Sequence, residues 1–475
     1  MIKKISFFVG IMLISLSIFA QGIISINPSI GNAGETVNVT ITLDDAVNPP
    51  LPPADLQPSE IAIGSISASS FTRTDNTTIT ASFDIPEATV SGNFDVTVTF
   101  SPPVKEDLVY TLSSGFEIIG QEPTIFYVDG ELGDDANDGL SWANAKQTIQ
   151  AAINQADAIG AGDVWVKVGT YYPTSSADRE VSFVVKQNVS IYGGFVGTET
   201  LLSERDFETN STILSGNIGS PDNNLDNSYH VVVTEKNARV DGFDITAGCA
   251  NGDRLNRMGG GIYLADNMAY VENNDFYNNY AEEGGAMYIF NINGATAATS
   301  DIVSIYNCDF YQNSANNGGA IVMRVGASTY IDWCDFSENT AQWRGGAIFI
   351  DYGAYQTAPI TINECDFTSN SSLGNGGAIY SDDMASQLQG TYWYIYDCIF
   401  TNNSATYRGG AISNYNSNNF PTISGNQFTG NTAGQGGAAV ANDYGVSINI
   451  LDNTLEPGQD VSVDDTSNCT GNNCP

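Results

Sequence analysis

The chain has few basic residues and almost no histidine. Its 475 residues include 16 Lys and Arg and 1 His against 54 Asp and Glu, a formal net charge of −38 at pH 7. This excess of negative charge makes nucleic acid and anionic membrane surfaces poor partners and favours cations or neutral surfaces. The single histidine, His230, stands without a Ser/His/Asp or zinc-ligand spacing, so we interpret it as structural.

Long apolar runs are missing after the first 20 residues. Lys3 and Lys4 precede an apolar run from Ile5 to Phe19, and Ala20 follows it, which predicts a secretory signal peptide at residues 1–20. A transmembrane anchor is the alternative, but the run is short for a bilayer. We therefore expect an exported protein with no transmembrane segment after removal of the signal, either secreted or attached to a bacterial cell surface.

A recurring sequence phrase dominates the second half of the chain. It consists of Phe-x-x-Asn, a short polar run, and Gly-Gly-Ala followed by an aliphatic residue. Its five strong copies and one weaker copy start at Phe276, Phe310, Phe336, Phe367, Phe400 and Phe428. A repeat of about 30 residues indicates a solenoid, a propeller or an array, and irregular spacing between fixed phrases favours a solenoid. Each copy holds short β-type segments, so we predict a right-handed parallel β-helix with one coil per copy.

Equal positions in the copies should form vertical columns in such a solenoid. The phenylalanines should point inward, together with the cysteines two residues earlier, because side chains alternate along a strand. These cysteines are Cys308, Cys334, Cys365 and Cys398. They could remain buried thiols or form bridges between coils. The asparagines should form an amide ladder, and the Gly-Gly pairs should allow positive φ at a tight bend.

The remaining segments predict an all-β chain with two domains. Residues 22–119 show alternating apolar and polar runs with Pro, Gly and Asn between them, which indicates a β-sandwich. A linker at 120–124 leads to the β-helix at 125–455, and residues 456–475 read as a polar tail. Helical spacing at residues 143–159 predicts a short helix, which could cover the open end of the first coil. Cys469 and Cys474 could close a small terminal disulfide loop.

Several of these motifs resemble known families. The Gly-Gly-Ala-Ile and Phe-x-x-Asn phrases resemble the polymorphic outer-membrane-protein repeat. The order of Ile125–Asp129, helix and Val164–Tyr171 resembles the entrance of pectin-lyase-like β-helix proteins. Residues Gly34-Glu35-Thr36-Val37 and Gly115-Phe116-Glu117-Ile118 resemble immunoglobulin-like IPT/TIG-type modules. The resemblance implies surface exposure and adhesion, and it supplies no reaction. The membrane barrel that usually follows the repeat is not found, so attachment to the cell and free secretion both remain open.

One set of charged residues offers a catalytic hypothesis. Counting five places after each Gly-Gly pair predicts that Arg324, Asp351 and Asp382 are vertical neighbours. Two carboxylates one coil apart could act as a hydrolase pair, or could hold a cation beside the arginine. Ordinary surface charge is the alternative explanation.

A column of carboxylates offers a metal hypothesis. The residue before each phenylalanine is an aspartate in four successive copies, namely Asp275, Asp309, Asp335 and Asp366. Alternation points these side chains outward, where like charges repel and calcium would relieve the repulsion. A solvated acidic face is the alternative.

Aromatic residues offer a binding hypothesis. A column that follows the aliphatic residue of the repeat should face outward, and it contains Tyr263, Tyr288, Phe349 and Tyr380. Two further rings, Trp343 and Tyr407, adjoin Arg344 and Arg408. Exposed rings could stack on sugars or on a partner protein, unless loops of neighbouring coils cover them.

The sequence thus favours non-catalytic adhesion, or recognition of a polysaccharide or a cell-surface protein. A polysaccharide lyase or glycosidase is the alternative. A deep groove lined by Arg and Asp would favour the enzyme, and a flat face with exposed rings would favour the binding protein.

Overall fold

The computed structural model describes residues 22–47, 50–86, 89, 91–102, 108–119, 123–264, 268–290, 302–324, 328–352, 359–383, 393–415, 421–443, 448–463 and 469–474. The chain is all-β and forms two compact units, Met1–Pro123 and Thr124–Pro475. The predicted signal peptide and most of the predicted linker lie outside the described residues. Within those residues, no helix combines the length and the apolar character that crossing a membrane requires.

The first unit is a β-sandwich. In sheet order, its four-stranded sheet contains Ile23–Asn27, Thr36–Leu43, Thr78–Asp84 and Ser70–Arg73. Its five-stranded sheet contains Ile30–Asn32, Leu108–Ile119, Gly92–Phe100, Glu60–Ile63 and Ile66–Ser67. Alternation along Thr36–Leu43 buries Val37, Val39 and Ile41 in one core with Phe100 and Phe116 of the other sheet.

The second unit is a parallel β-helix, and each full coil visits four sheets in turn. Crossovers between parallel strands are right-handed in nearly all proteins. Sheet 1 contains Ile125–Val128, Gly162–Lys167, Val189–Phe195, Ala238–Asp241, Ala269–Glu272, Ile302–Tyr306, Ser328–Asp332, Ile360–Asn363, Trp393–Tyr396, Thr422–Ser424, Ile448–Leu451 and Cys469–Thr470. Sheet 2, which carries the repeated phenylalanines, contains Gly169–Tyr171, Thr212–Ser215, Asp244–Thr246, Asp275–Tyr277, Asp309–Tyr311, Asp335–Ser337, Asp366–Thr368, Ile399–Thr401, Gln427–Thr429 and Thr454–Leu455.

The other two sheets lie on either side of the Gly-Gly pairs. Sheet 3 contains Cys249–Ala250, Tyr280–Glu283, Ser314–Asn317, Thr340–Arg344, Ser371–Ser372, Ser404–Ala405 and Thr432–Ala433. Sheet 4 contains Phe183–Val185, Val232–Thr234, Ile262–Leu264, Met287–Phe290, Ile321–Arg324, Ile348–Tyr352, Ile379–Asp383, Ile412–Tyr415, Val440–Asp443 and Val461–Val463.

A helix covers the first coil. It spans Ile149–Ala158 and buries Ile149, Ala152, Ile153 and Ala156 against the open end of the core. It is shorter than the predicted 143–159, because the Thr148 hydroxyl accepts the backbone N–H of Ala151 and starts the helix there. Short 3₁₀ segments lie at Trp142–Asn144, Leu202–Glu204, Asn224–Asp226 and Arg254–Arg257.

The predicted columns of phenylalanine and asparagine are buried in the β-helix. The six repeated phenylalanines stack face to face, with ring centroids 4.7 to 4.9 Å apart in neighbouring coils. The asparagines form the predicted amide ladder: Asn313 donates its side-chain amide to Asn339, and Asn339 donates to Asn370. The ladder replaces backbone partners at a corner where the strand pairing is interrupted.

The two glycines of each pair have different roles. Gly318 adopts φ +57, and the first glycine of each of the other four strong copies also has positive φ, as the sequence predicts. The second glycine allows close approach of the next coil instead. A Cβ on Gly319 would lie 2.1 Å from the carbonyl oxygen of Gly346, which no side chain could tolerate.

The β-helix continues into the segment predicted as a polar tail. Val461–Val463 pairs with Val440–Asp443, and Cys469–Thr470 pairs with Ile448–Leu451. Val461 and Val463 pack against the main core, which gives these short strands an apolar anchor. Strand pairing of the β-helix therefore extends past residue 455 into the segment that the sequence predicts as a polar tail.

Candidate recognition cleft

A cleft forms where sheet 3 turns into sheet 4, and one extra residue creates it. Asn313 is followed by four residues before Gly318, whereas Asn339 is followed by five before Gly345. The strand register shifts by one residue at this point, where Asn317 pairs with Arg344. The extra residue turns Trp343 outward, and its side chain is 60% exposed. The copies that begin at Phe367 and Phe400 have the same extra residue.

Two aromatic rings and a glycine occupy equal positions in three successive coils. The carbonyl oxygen of Trp343 accepts the N–H of Asn375, and that of Gly374 accepts the N–H of Tyr407, so Gly374 lies between the two rings. Neighbouring strands are about 4.8 Å apart, which separates the two backbones by roughly 9.6 Å. A Cβ at Gly374 would lie 1.7 Å from the Trp343 carbonyl oxygen. Glycine is therefore required here by the close approach of the two backbones, and it places no side chain between Trp343 and Tyr407. We name the space between these two residues the ring slot.

Polar and aromatic groups form the base of the cleft. Arg344 places its guanidinium 5.6 Å from the ring centroids of both Phe349 and Tyr380, and its Nη1 lies 3.5 Å from Asp382 Oδ2. The cavity has a volume of about 490 Å³. Its lining consists of Gln342, Trp343, Arg344, Leu373, Gly374, Asn375, Tyr380, Asp382, Tyr407 and Tyr415. This volume suits a small ligand, and aromatic walls with a few fixed polar groups are typical of ligand sites.

The cleft brings together several residues predicted separately. Trp343, Arg344, Tyr380, Tyr407 and Asp382 all line it. Sequence reasoning missed Leu373, Gly374 and Asn375. The signal that could have found them is the longer connection between asparagine and Gly-Gly in three copies, which marks a bulge in consecutive coils.

The predicted outward column of rings is buried, which agrees with the alternative that neighbouring segments cover it and not with an exposed face. Tyr263, Tyr288, Phe349 and Tyr380 point away from the main core as alternation requires, but they are only 1 to 6% exposed. They form a second apolar cluster in the bend between sheets 3 and 4, together with Val322. Burial raises the pKa of Tyr288 and of Tyr380, so both phenols stay neutral at neutral pH.

The predicted group of Arg324, Asp351 and Asp382 is aligned but divided between two ion pairs. Arg324 pairs with Asp351 and lies 3.3 Å from Glu283, while Asp382 pairs with Arg344. Burial lowers the pKa of Arg324, but Tyr288, Asp351 and Glu283 outweigh that effect and raise the pKa. A guanidinium with a raised pKa holds its proton and cannot act as a general base.

Arg408, which follows Tyr407 in the chain, is not part of the cleft lining and pairs with Asp443. The strand register places Asp443 beside Tyr415, although counting from the Gly-Gly pair predicts Asn442 in that position. The weak copy at Gly436-Gly437 contains one more residue before its aliphatic position, Val440, and this shifts the register.

The aspartate column is in register as predicted. Asp275 pairs with Asp309, Asp309 with Asp335, and Asp335 with Asp366 in sheet 2. Nevertheless, in the part of the chain that the structure describes, no three Asp, Glu, His or Cys side chains converge as a metal site requires. The structure therefore shows the alignment that the calcium hypothesis requires, but it shows no cluster of ligands among the described residues.

The column cysteines are buried free thiols rather than bridges between coils. Cys308, Cys334, Cys365 and Cys398 are all free, as is Cys249. Burial raises the pKa of Cys334 and of Cys398, which keeps these two sulfurs protonated and inert. Cys474 is disulfide-bonded, while the side chain of Cys469 lies outside the described residues.

Comparisons with known proteins agree with the fold. Residues 260–455 match a family described as right handed beta helix region. Residues 132–329 match a family described as a protein of unknown function, DUF1565. No curated protein matches the chain significantly. The matches support a parallel β-helix protein, and their descriptions name neither a ligand nor a reaction.

Proposed function

We propose that this chain is a secreted or cell-surface protein that binds carbohydrate in the recognition cleft, without covalent chemistry. The ring slot carries the proposal. Trp343 and Tyr407 are 60% and 48% exposed, stand two coils apart, and have only Gly374 between them. The apolar face of a pyranose stacks well on an aromatic side chain, and the gap suits one sugar ring between two such faces.

Polar groups around the slot suit sugar hydroxyls. Gln342 and Asn375 are side-chain amides of the lining, and each can donate and accept hydrogen bonds. Arg344 and Asp382 supply a fixed pair of donor and acceptor at the base. Such groups would orient a neutral ligand, whereas the net charge of −38 opposes an acidic polysaccharide.

The enzyme alternative is a lyase or glycosidase that uses Arg324, Asp351 and Asp382. Lyase chemistry needs a base, and the ion pairs of Arg324 with Asp351 and Glu283 oppose that role. Within the described residues, the repeats from 260 to 455 also contain no lysine that could replace it. These ion pairs oppose lyase chemistry, and the exposed rings of Trp343 and Tyr407 support binding without cleavage.

The test is a screen of the purified chain against soluble neutral and acidic polysaccharides, scoring binding and product release together. We expect binding of a neutral glycan, no release of product, and loss of binding by about tenfold or more in Trp343→Ala and Tyr407→Ala. Tyr172→Ala is the matched control, because Tyr172 is an exposed ring far from the cleft in sequence. Product release, or equal binding by all three variants, would overturn the proposal.

A further inference from the structure

A second set of rings lies on the outer side of sheet 1, outside the recognition cleft. Tyr306 and Tyr330 are exposed, whereas the other three rings are half-buried, and Arg239 lies over the ring of Tyr270. Val271, Ile305, Ile331, Ile362 and Ile395 point into the core from successive strands of this sheet. The residues on either side of them must therefore point outward. Five of these outward positions are tyrosines, namely Tyr270, Tyr306, Tyr330, Tyr394 and Tyr396.

Three of the tyrosines recur at every second coil of one column. Tyr270 pairs with Ser304, and Ser304 pairs with Tyr330. Tyr330 pairs with Thr361, which pairs in turn with Tyr394. Rings therefore alternate with hydroxyl groups along the solenoid, and successive rings are about 9.6 Å apart, twice the strand spacing. We name Tyr270, Tyr330 and Tyr394 the tyrosine ladder.

The adjacent column widens the same face. Tyr306 and Tyr330 are 43% and 42% exposed. Tyr394 and Tyr396 stack with ring centroids 5.7 Å apart. A flat β-sheet with exposed rings offers a stacking surface, whereas the recognition cleft offers a single slot.

Of the two carboxylates beside the tyrosines, one is ion-paired and the other accepts a hydrogen bond from a neutral amide. Glu272 forms an ion pair with Arg239 at one end of the ladder. Asp332 accepts a hydrogen bond of 2.8 Å from Asn363. Ser304 and Thr361 lie between the rings and are neutral. The face therefore suits an uncharged ligand that offers both apolar surfaces and hydroxyl groups.

We propose that the tyrosine ladder binds an extended, uncharged β-1,4-linked polysaccharide that lies along the solenoid axis. Such a polymer is a flat ribbon whose repeat of two sugar residues is similar in length to two strand spacings. Every second sugar then stacks on a tyrosine, and the sugars between them meet Ser304 and Thr361. A polymer with α-1,4 linkages curls and would lose this match after one ring. The inference rests on sheet 1 alone and does not require the recognition cleft.

The test measures binding of β-1,4-linked glucose oligomers of two, four and six units to the full chain by calorimetry. We expect affinity to rise with length, because longer oligomers reach more rings. Tyr330→Ala, which removes the central ring, should weaken binding of the hexamer by about tenfold. The α-1,4-linked glucose hexamer should bind more weakly than the β-1,4-linked one.

Control variants separate this surface from the recognition cleft. Tyr172→Ala, which removes an exposed ring outside both sheet 1 and the recognition cleft, should leave binding of the β-1,4-linked hexamer unchanged. Thr361→Tyr should weaken it, because an extra ring breaks the alternation. Equal affinity of wild type and Tyr330→Ala, or of the two hexamers, would overturn the ladder. Loss of binding in Trp343→Ala alone would assign the polymer to the cleft and would overturn the ladder while supporting the proposed function.

Discussion

Burial on sheet 1 changes the pKa of one carboxyl group, that of Asp163. It lies on sheet 1, paired in register with Ile125 and Ser190. Burial raises its pKa to about 6, and Arg239 only partly opposes that effect. The folded state therefore keeps a proton on Asp163 at pH values where the unfolded chain has lost it.

The difference between the folded and unfolded pKa of Asp163 predicts that this residue lowers the free energy of unfolding in a pH-dependent way. The folded pKa of about 6 lies above the ordinary value of 3.8, so the charged carboxylate destabilises the fold. The penalty is absent below pH 4, develops as the pH rises to 6, and is complete above it. Asp163→Asn should therefore raise the free energy of unfolding by about 2 kcal/mol at pH 7.5 and by little at pH 4.

Denaturant unfolding at both pH values measures this effect. Asp157→Asn is the control, because Asp157 is an exposed acid of the capping helix. This substitution should change the free energy of unfolding by the same amount at both pH values. A gain of equal size at pH 4 and pH 7.5 would show that packing, rather than the charge, limits stability at Asp163.

The rings of Tyr288 and Tyr330 mark the limit of prediction for single residues. Alternation along a strand predicts correctly that both point away from the core. Alternation does not predict which other side chains pack against an outward ring. Tyr288 is buried in the bend between sheets 3 and 4, whereas Tyr330 on sheet 1 is 42% exposed. Burial of an outward ring depends on the angle between two sheets, which a short sequence window does not contain.

At the scale of the structural element, the amide ladder is a column whose members depend on their neighbours. Asn339 is fully buried and donates its side-chain amide to the Phe310 carbonyl oxygen and to Asn370. It also accepts hydrogen bonds from the backbone and side-chain N–H groups of Asn313. Removing one member therefore leaves partners unsatisfied in the coils on both sides.

We expect Asn339→Ala to lower the free energy of unfolding by about 3 kcal/mol, since several buried polar groups would lose their partners. The midpoint of chemical denaturation measures the change. Asn316→Ala is the matched control, because Asn316 is a partly exposed asparagine of sheet 3, and the control should change stability by less than about 0.5 kcal/mol. Equal midpoints for the two variants would show that the ladder fills space without contributing through its hydrogen bonds.

The columns were predictable at this scale, and the cleft was not. Phe310 and Asn313 recur with fixed spacing, and stacking in a solenoid follows from that repetition. The cleft depends on one extra residue before Gly345, whose effect appears only when Asn317 and Arg344 are aligned in the register. A bulge changes the direction of Trp343 without changing the pattern of apolar residues around it.

At the scale of the whole molecule, the net charge of −38 opposes the compact state. Nine arginines and seven lysines cannot pair with 54 acids, so most of the negative charge is compensated by solvent ions. Exposed charges repel each other over about 30 Å at 0.01 M salt and over about 8 Å at 0.15 M. Salt should therefore stabilise the chain without binding at any site.

We expect the melting temperature to rise by several degrees between 10 mM and 150 mM NaCl. CaCl₂ and MgCl₂ at matched ionic strength should give equal shifts, because no cluster of three ligands is present in the described residues. A melting temperature that is insensitive to NaCl would contradict the repulsion. A much larger shift with CaCl₂ would instead support the aspartate column that begins at Asp275 as a calcium site.

The end of the amide ladder has a consequence for how molecules meet one another. Asn431 donates its backbone and side-chain N–H groups to Gln459, which donates in return to the Asn431 carbonyl oxygen. The longer glutamine folds back over the final rung and occupies the groups that a further coil would use. A stacked column of identical rungs is otherwise a template for end-to-end polymerisation. Gln459 therefore satisfies the polar groups of the last rung within the chain, so that they do not offer hydrogen bonds to the end of a second molecule.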